Sequence, residues 1–323
     1  MLSARFRPWH VPLFAAKYAW LHARGMPILV HFEVTMRCNA RCDFCDYWKT
    51  DPSARDHELG SFAAAAKRFA PVMITFTGGE PLLRRDLEGI VRAVREAVRL
   101  TYIAVITHGG SLTLERARSL WAAGIDQFNL SLDYLDARHD RARGIPGLAA
   151  RLLALVPEMR AAGIDGIRFN TVIKQSNLDQ LVPIVERAAA LGAGVSFSVY
   201  SDTKNGNDAH RPRAEQAAEV ERVIAELLAY KQRRRGVIVN SDHYLRQIPR
   251  WMRGDMREPC HSGVRTIHVS PAGHVRRCPD FPDDGHWTAF SRYRPIDCNA
   301  CFYACRGEAQ APLTLSRIRD VMA

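Results

Sequence analysis

The sequence predicts an α/β fold: six strand–helix units forming a partial (β/α)6 barrel, followed by a small C-terminal unit of a β-hairpin and a helix. Three observations lead there. Between about residues 28 and 200, short runs rich in β-branched and aromatic residues alternate with amphipathic stretches. The pentapeptide AAGID occurs at 122–126 and again at 161–165, and ALGAG at 190–194 echoes it. Each puts a glycine at a helix C-terminus, where the backbone turns through positive φ just before a strand. The composition then changes near residue 256, where cysteine, histidine and proline crowd together.

Taken in order, residues 1–27 form a basic, aromatic segment whose charges interrupt any signal-peptide core. It either packs on the main domain or lies on a membrane surface as a basic amphipathic segment. The strand candidates are ILVHFEVT (28–35), VMITFT (72–77), YIAVIT (102–107), QFNLSL (127–132), GIRFNTV (166–172) and GVSFSVY (194–200). Consecutive βα units make a parallel sheet with helices outside. Six units rather than eight favour an incomplete TIM-like barrel over 28–255, although an open doubly wound sheet shares the local pattern. In both, chemistry belongs at the C-terminal ends of the strands. The polar stretch SDTKNGNDAHRPR (201–213) reads as a loop over that face. KQRRR (231–235) reads as a solvated helix end. From 256 to 323, PCHSGVRTIHVSPAGHVRRCPD reads as a hairpin turning at Pro271-Ala272-Gly273, and a short helix follows.

Lys and Arg number 45 against 34 Asp and Glu, a formal excess of +11. That balance suits anionic partners, but the charge is scattered, so nucleic acid is not the reading. No apolar run approaches the ~18–20 residues of a membrane span. The eight cysteines lie in two clusters, which points to metal binding in a reducing cytoplasm rather than to a disulfide framework. Membrane association enters only through the N-terminal segment.

The stretch TMRCNARCDFCDY sets Cys38, Cys42 and Cys45 in a C-x3-C-x2-C spacing. A structural zinc ion wants four ligands, which His31 or Asp46 would have to complete. A cubane with one iron free of protein thiolate suits three cysteines better. Here the sequence resembles the radical S-adenosylmethionine enzymes, through EVTMRCNARCDFC and the aromatic Phe44 before the third cysteine. The resemblance implies a [4Fe–4S] cluster whose fourth iron is chelated by S-adenosylmethionine, and a 5′-deoxyadenosyl radical that abstracts a substrate hydrogen. It also implies that Gly78, Gly79 and Glu80, in TFTGGEP at the end of the second strand, hold the methionyl ammonium. Thr107 is carried over from VITHGG, where His108 departs from the common Thr-Asn-Gly. NLSLD points to Ser131 and Asp133 as ribose contacts, and Asn170 in the fifth strand is a further candidate. His139 and Arg143 read as residues solvating a helix start.

Cys260 and Cys278 are separated by twelve residues, Gly273 and four more, and Cys298, Cys301 and Cys305 follow as C-x2-C-x3-C. This resembles the auxiliary-cluster domains of radical enzymes, the two-cluster SPASM type and its shorter twitch relative. Two further cubanes would need about eight thiolates, so five imply one auxiliary [4Fe–4S] cluster. Cys260, Cys278, Cys298 and Cys301 are the implied ligands, with Cys305 surplus or displacing Cys301. A zinc ribbon is the alternative, with His261, His268 and His274 in reserve.

The expected function is therefore reductive cleavage of S-adenosylmethionine, hydrogen abstraction, and oxidation of the substrate radical through the auxiliary cluster. The alternatives are lipid, isoprenoid or peptide modification with C–C or C–S bond formation, or a non-catalytic iron–sulfur or zinc scaffold. His108, Tyr200 and Asp202 are the candidates for a catalytic base. The expected partners are a small-molecule, lipid or peptide substrate and an electron donor such as flavodoxin or ferredoxin.

Overall fold

The structure is a computed structural model describing residues 6, 9–49, 59–203, 205–256, 258–291 and 293–312. The ends of the expected 1–27 and 256–323 segments thus lie outside the described residues. Helix α1 (His10–Ala23) precedes strand β1 (Leu29–Thr35), α2 (Leu59–Phe69), β2 (Met73–Gly78), α3 (Leu87–Ala97) and β3 (Tyr102–Thr107). Next come α4 (Leu114–Ala123), β4 (Gln127–Ser131), α5 (Ala137–Arg143), α6 (Leu148–Ala161), β5 (Ile167–Ile173), α7 (Leu181–Ala190) and β6 (Gly194–Val199). The chain continues through α8 (Ala217–Arg233), α9 (Asp242–Met252), α10 (Ser262–Arg265), β7 (Thr266–Val269), β8 (Val275–Arg276) and α11 (Ala304–Gln310).

All six expected strands are present, and the glycines at the three predicted joints, Gly124, Gly163 and Gly192, have φ of 127°, 80° and 68°. Strands β1 to β6 are parallel and lie in the order 6-5-4-3-2-1. A doubly wound sheet reverses its strand order. This one does not, and it forms a partial barrel. Alternation within strands sorts the two faces. Val30, Phe32 and Val34 of β1 are fully buried in the core beneath the helices, with Phe32 against Phe62 of α2 (ring centroids 5.6 Å) and Phe76 (6.2 Å). His31, Glu33 and Thr35 take the opposite, inner face.

The C-terminal hairpin does not sit apart from this sheet. β7 pairs in parallel with β1, from Leu29↔Thr266 to Phe32↔Val269, and β8 pairs antiparallel with β7. Unpaired edges are costly, and the buried Ile267 and Val269 let β7 cover that of β1. At the other edge, Val195 N–H donates to Val237 O (2.7 Å) and Val239 N–H to Val195 O (3.0 Å).

Helix α1 packs across the N-terminal ends of the strands. Leu21 is buried, Lys17 Nζ donates to Thr101 Oγ1 (3.1 Å), and Arg265 Nη1 donates to His22 O (3.0 Å). No helix among the described residues is long and apolar enough to cross a membrane. The helix end at 231–235 is only partly solvated: Lys231 is buried, and its Nζ donates to Asn240 O and Asp242 Oδ1, both at 2.8 Å. Its charge locks α8 to the start of α9.

Candidate active site

The loop carrying Cys38, Cys42 and Cys45 leaves the C-terminal end of β1 and is held by backbone from two neighbours. Gly79 N–H donates to Thr35 O and Glu80 N–H to Arg37 O, both at 2.8 Å, while Arg41 N–H donates to Arg143 O (2.9 Å). A Cβ at Gly79 would lie 2.1 Å from Arg37 O, and one at Gly78 (φ 118°) would lie 2.3 Å from Thr35 O. The close approach that these glycines permit is therefore to the cysteine loop itself. Burial, followed by neighbouring groups that include Glu80 and the other two thiols, raises Cys38 to about 12. His31 is engaged with Thr75 Oγ1 and stacks on His268. Three soft donors on one loop suit a cluster that keeps one position open.

Glu80 is fully buried. Its Oε1 accepts from Thr107 Oγ1 (2.5 Å) and Leu82 N–H (3.1 Å), and its Oε2 from His108 N–H (3.0 Å). Burial pushes its pKa up to about 7 against these hydrogen bonds. His108 Nδ1 accepts from Gly110 N–H (2.9 Å), which leaves the proton on Nε2, 3.0 Å from Asn39 Oδ1 and 3.1 Å from Glu80 Oε2. Burial first, then Arg143, lowers His108 to about 4. The residue that departs from Thr-Asn-Gly thus bridges Glu80 to the cysteine loop.

A second buried group lies beyond β4. Asp133 accepts from Arg143 Nη2 (2.8 Å) and Val172 N–H (2.9 Å), with Lys174 Nζ at 3.4 Å. Burial alone would raise its pKa, but Arg143 and Lys174 hold it well below the usual carboxylate range. Lys174 Nζ sits 4.2 Å from the Phe44 ring centroid and the Arg143 guanidinium 5.2 Å from it, while Arg143 Nη1 is 4.0 Å from Cys42 Sγ. The reading of His139 and Arg143 as solvated is corrected here. Both are buried, because α5 folds back over the loop and His139 Nδ1 accepts from Asp133 N–H (3.2 Å). Lys174 carries no sequence motif and was not foreseen. Ser131 and Asn170 sit side by side in the β4–β5 register, and neither side chain is fully exposed.

Of the candidate bases, Tyr200 donates its hydroxyl to Asn207 O (2.7 Å), and Asp202 pairs with Arg211 (3.2 Å). The loop after β6 does cross the cysteine loop, with Asn207 Nδ2 donating to Asp43 O (3.0 Å) and His210 6.0 Å from Phe44.

Inside the barrel the sequence signal was the alternation His31, Glu33, Thr35. The row Thr75–His31–His268–Arg276 runs across β2, β1, β7 and β8 in register. His31 and His268 stack at 4.4 Å, and Thr75 Oγ1 meets His31 Nδ1. Glu33 is fully buried, accepts from Tyr47 Oη (2.9 Å), pairs with Arg276 and lies 3.7 Å from His268 Nδ1. Burial would raise Glu33, but His268, Arg276 and Tyr47 hold it below its ordinary value. Both buried ring nitrogens of His268 lack a hydrogen bond. Burial, then His268, drops His31 well below the ordinary imidazole value.

The five C-terminal cysteines come together through a bridge: Cys260 N–H donates to Ile296 O (2.9 Å) and Ile296 N–H to Cys260 O (2.8 Å). Cys260 and Cys278 pack with Ile296, Phe281 and Cys298. Burial raises Cys260, Cys278, Cys301 and Cys305, and neighbouring thiols raise each of them further. Cys305 accepts from Ser262 Oγ (3.8 Å), and it and Cys298 are both half-buried. Arg306, 1% exposed, donates to Cys301 O (2.9 Å) and Glu258 O (3.0 Å) and ties the segment together.

A family model described as the Radical SAM superfamily matches residues 32–188. The chain is similar to a PqqA peptide cyclase of Ruegeria pomeroyi, at 31% identity over 88% of this chain and 84% of that protein. It is also similar to a GTP 3′,8-cyclase of Ectopseudomonas mendocina, at 33% identity over 52% of each. Among solved structures, Streptococcus suis SuiB bound to S-adenosylmethionine superposes with a TM-score of 0.66 at 17% identity, over 85% of this chain and 67% of that one.

Proposed function

Because the chain belongs to the radical S-adenosylmethionine superfamily and is an enzyme of that kind, we propose that it oxidatively modifies a peptide. One observation carries the substrate class. The match to the peptide cyclase spans 88% of the chain and therefore takes in Cys260 and Cys278, whereas the match to the nucleotide cyclase spans 52%. Cys38, Cys42 and Cys45 would hold a [4Fe–4S] cluster that, with S-adenosylmethionine bound, would supply the radical chemistry for taking a hydrogen atom from the substrate. Gly78, Gly79 and Glu80 would position the cofactor's amino end, with Thr107 and His108 orienting Glu80. Ser131, Asn170 and Phe44 would contact the rest of it. Asp133, an expected ribose contact, also holds Arg143 and Lys174 beside Phe44.

We read 256–323 as a twitch-like unit whose cysteines would hold one further cluster, which would accept the electron. Whether a double bond or a new ring bond results, two hydrogens leave the peptide: one as the abstracted atom, the other as a proton and an electron. His108, Tyr200 and Asp202 stay the candidates for the group that takes the proton. A cytoplasmic flavodoxin or ferredoxin supplies the reducing electron.

The test is anaerobic incubation of reconstituted protein, S-adenosylmethionine and dithionite with short peptides encoded beside its gene. Mass loss of two hydrogens from one peptide, with 5′-deoxyadenosine formed, is expected. Zinc in place of iron would end the radical reading. Turnover of a lipid in place of any peptide would promote the lipid alternative.

A further inference from the structure

Helix α1 has two faces of different fate. One face, with Leu21, Phe14, Lys17 and Tyr18, turns toward the barrel. The other is exposed and carries Trp9, Pro12, Leu13, Ala15, Ala16, Ala19, Trp20 and Ala23, with His22 exposed at its edge. Trp9, Leu13 and Trp20 are 63%, 48% and 51% exposed, and they are the exposed large hydrophobics among the described residues. Spaced by four and then seven residues, they fall within about 40° of arc on one side of the helix. Large apolar side chains gathered on one exposed face mark a contact surface.

The local charge says what it contacts. The first acidic residue of the chain is Glu33, and the charged residues before it are Arg5, Arg7, Lys17 and Arg24, all basic. Arg5 and Arg7 precede the helix in sequence. Arg24 follows it and stacks over Trp20 at 5.0 Å. Indole rings near both ends, small residues between them and basic residues flanking the helix match the headgroup zone of an anionic bilayer. A second copy of this chain would bring the same cations against these, in a protein already at +11.

We propose that α1 is a peripheral docking helix that seats the base of the barrel on an anionic membrane surface. The indoles and Leu13 enter the headgroup zone and Arg24 faces lipid phosphates. The cysteine loop then points away from the bilayer, because α1 lies at the N-terminal ends of the strands. The proposal is independent of which substrate is turned over.

Holoenzyme is sedimented with vesicles of equal parts phosphatidylcholine and phosphatidylglycerol, and with vesicles of phosphatidylcholine alone. The expected result is pelleting with the anionic vesicles, weakened by salt, and partitioning about tenfold lower for Trp9→Ser/Leu13→Ser/Trp20→Ser. The variant should keep the wild-type circular dichroism and 5′-deoxyadenosine formation. If it fails to fold, Arg24→Glu reads the electrostatic part alone and should also weaken pelleting. Absence of wild-type pelleting, or equal pelleting of wild type and variants, overturns the proposal. A concentration-dependent dimer lost in the triple variant would assign the face to a second copy and overturn it as well.

Discussion

The two cysteine regions are held differently. The first trio is held from outside: its loop hangs on backbone groups of Gly79, Glu80 and Arg143, and it faces an Asp133–Arg143–Lys174 group that arrives from the ends of β4 and β5 and from α5. The C-terminal five are closed partly within their own segment, through the Cys260–Ile296 bridge, a small apolar cluster and the buried Arg306. They also lean on α9 and β6: Tyr244 stacks on Phe302 at 5.2 Å, Trp251 Nε1 donates to Asn299 O (3.3 Å) and Ala304 N–H to Ser198 Oγ (3.2 Å). The first region therefore takes its geometry from the β1–β2 ends, and the second combines local closure with contacts to α9 and β6. A fault at the β1–β2 ends should cost the first centre before the second.

The largest effect that would break this comparison is expected from Cys38→Ala. 5′-Deoxyadenosine formation should vanish while about half of the bound iron remains, counted per chain after anaerobic reconstitution. Retained cleavage would refute the assignment of the trio. Asp133→Asn comes next, because it leaves Arg143 and Lys174 buried without their carboxylate. A loss of about 3–5 kcal/mol in the chemical stability of the apoprotein is expected, and a loss under 1 kcal/mol would show the group to be dispensable.

Gly79→Ala pushes a methyl against Arg37 O and should cost about 1–3 kcal/mol. Its signature is selective, with iron lost from the first centre and kept by the second. Loss from both in proportion would contradict the outside-held picture. His139 supplies a pH handle on the same half. Burial, then Arg143, lowers its pKa to about 3, whereas an unfolded histidine takes its proton near 6.5. The unfolded chain thus gains a proton first, and stability should fall by about 1.4 kcal/mol per unit as pH drops below 6.5 toward 3. His139→Gln should flatten that slope in urea titrations between pH 6.5 and 4.5.

The smallest effect sharpens the second region. Cys260 feels Cys298, and Cys278, Cys301 and Cys305 each feel two neighbouring thiols. One of Cys301→Ala and Cys305→Ala should leave the iron count unchanged. If Cys305→Ala is the silent one, the expected ligand set stands. If it is Cys301→Ala, Cys305 takes its place.

Much of this was legible in the sequence. The six strands, the glycine joints and the cysteine spacings are short-range signals, set by neighbours a few residues apart. What escaped were residues whose role depends on distant partners. Lys174 is a single cation after a strand, and only the fold puts Phe44 and Asp133 beside it. Arg143 and His139 read as exposed because α5 is short and polar, yet the cysteine loop covers them. The lumen row was half visible, since His31, Glu33 and Thr35 alternate with Val30, Phe32 and Val34. Its other half, His268 and Arg276, arrives from more than two hundred residues away on a hairpin expected to stand apart.

That arrival has a consequence for distance. β1 ends at the first cysteine loop, and β8, one strand beyond its neighbour β7, ends two residues before Cys278. Because β7 runs parallel to β1 and β8 antiparallel to β7, the chain leaves β1 and β8 toward opposite ends of the sheet. The two cysteine regions are therefore separated along the strands, at about 3.3 Å per residue, as well as across them, at about 4.8 Å per strand. A change in strand length would alter that separation as surely as a change in strand number.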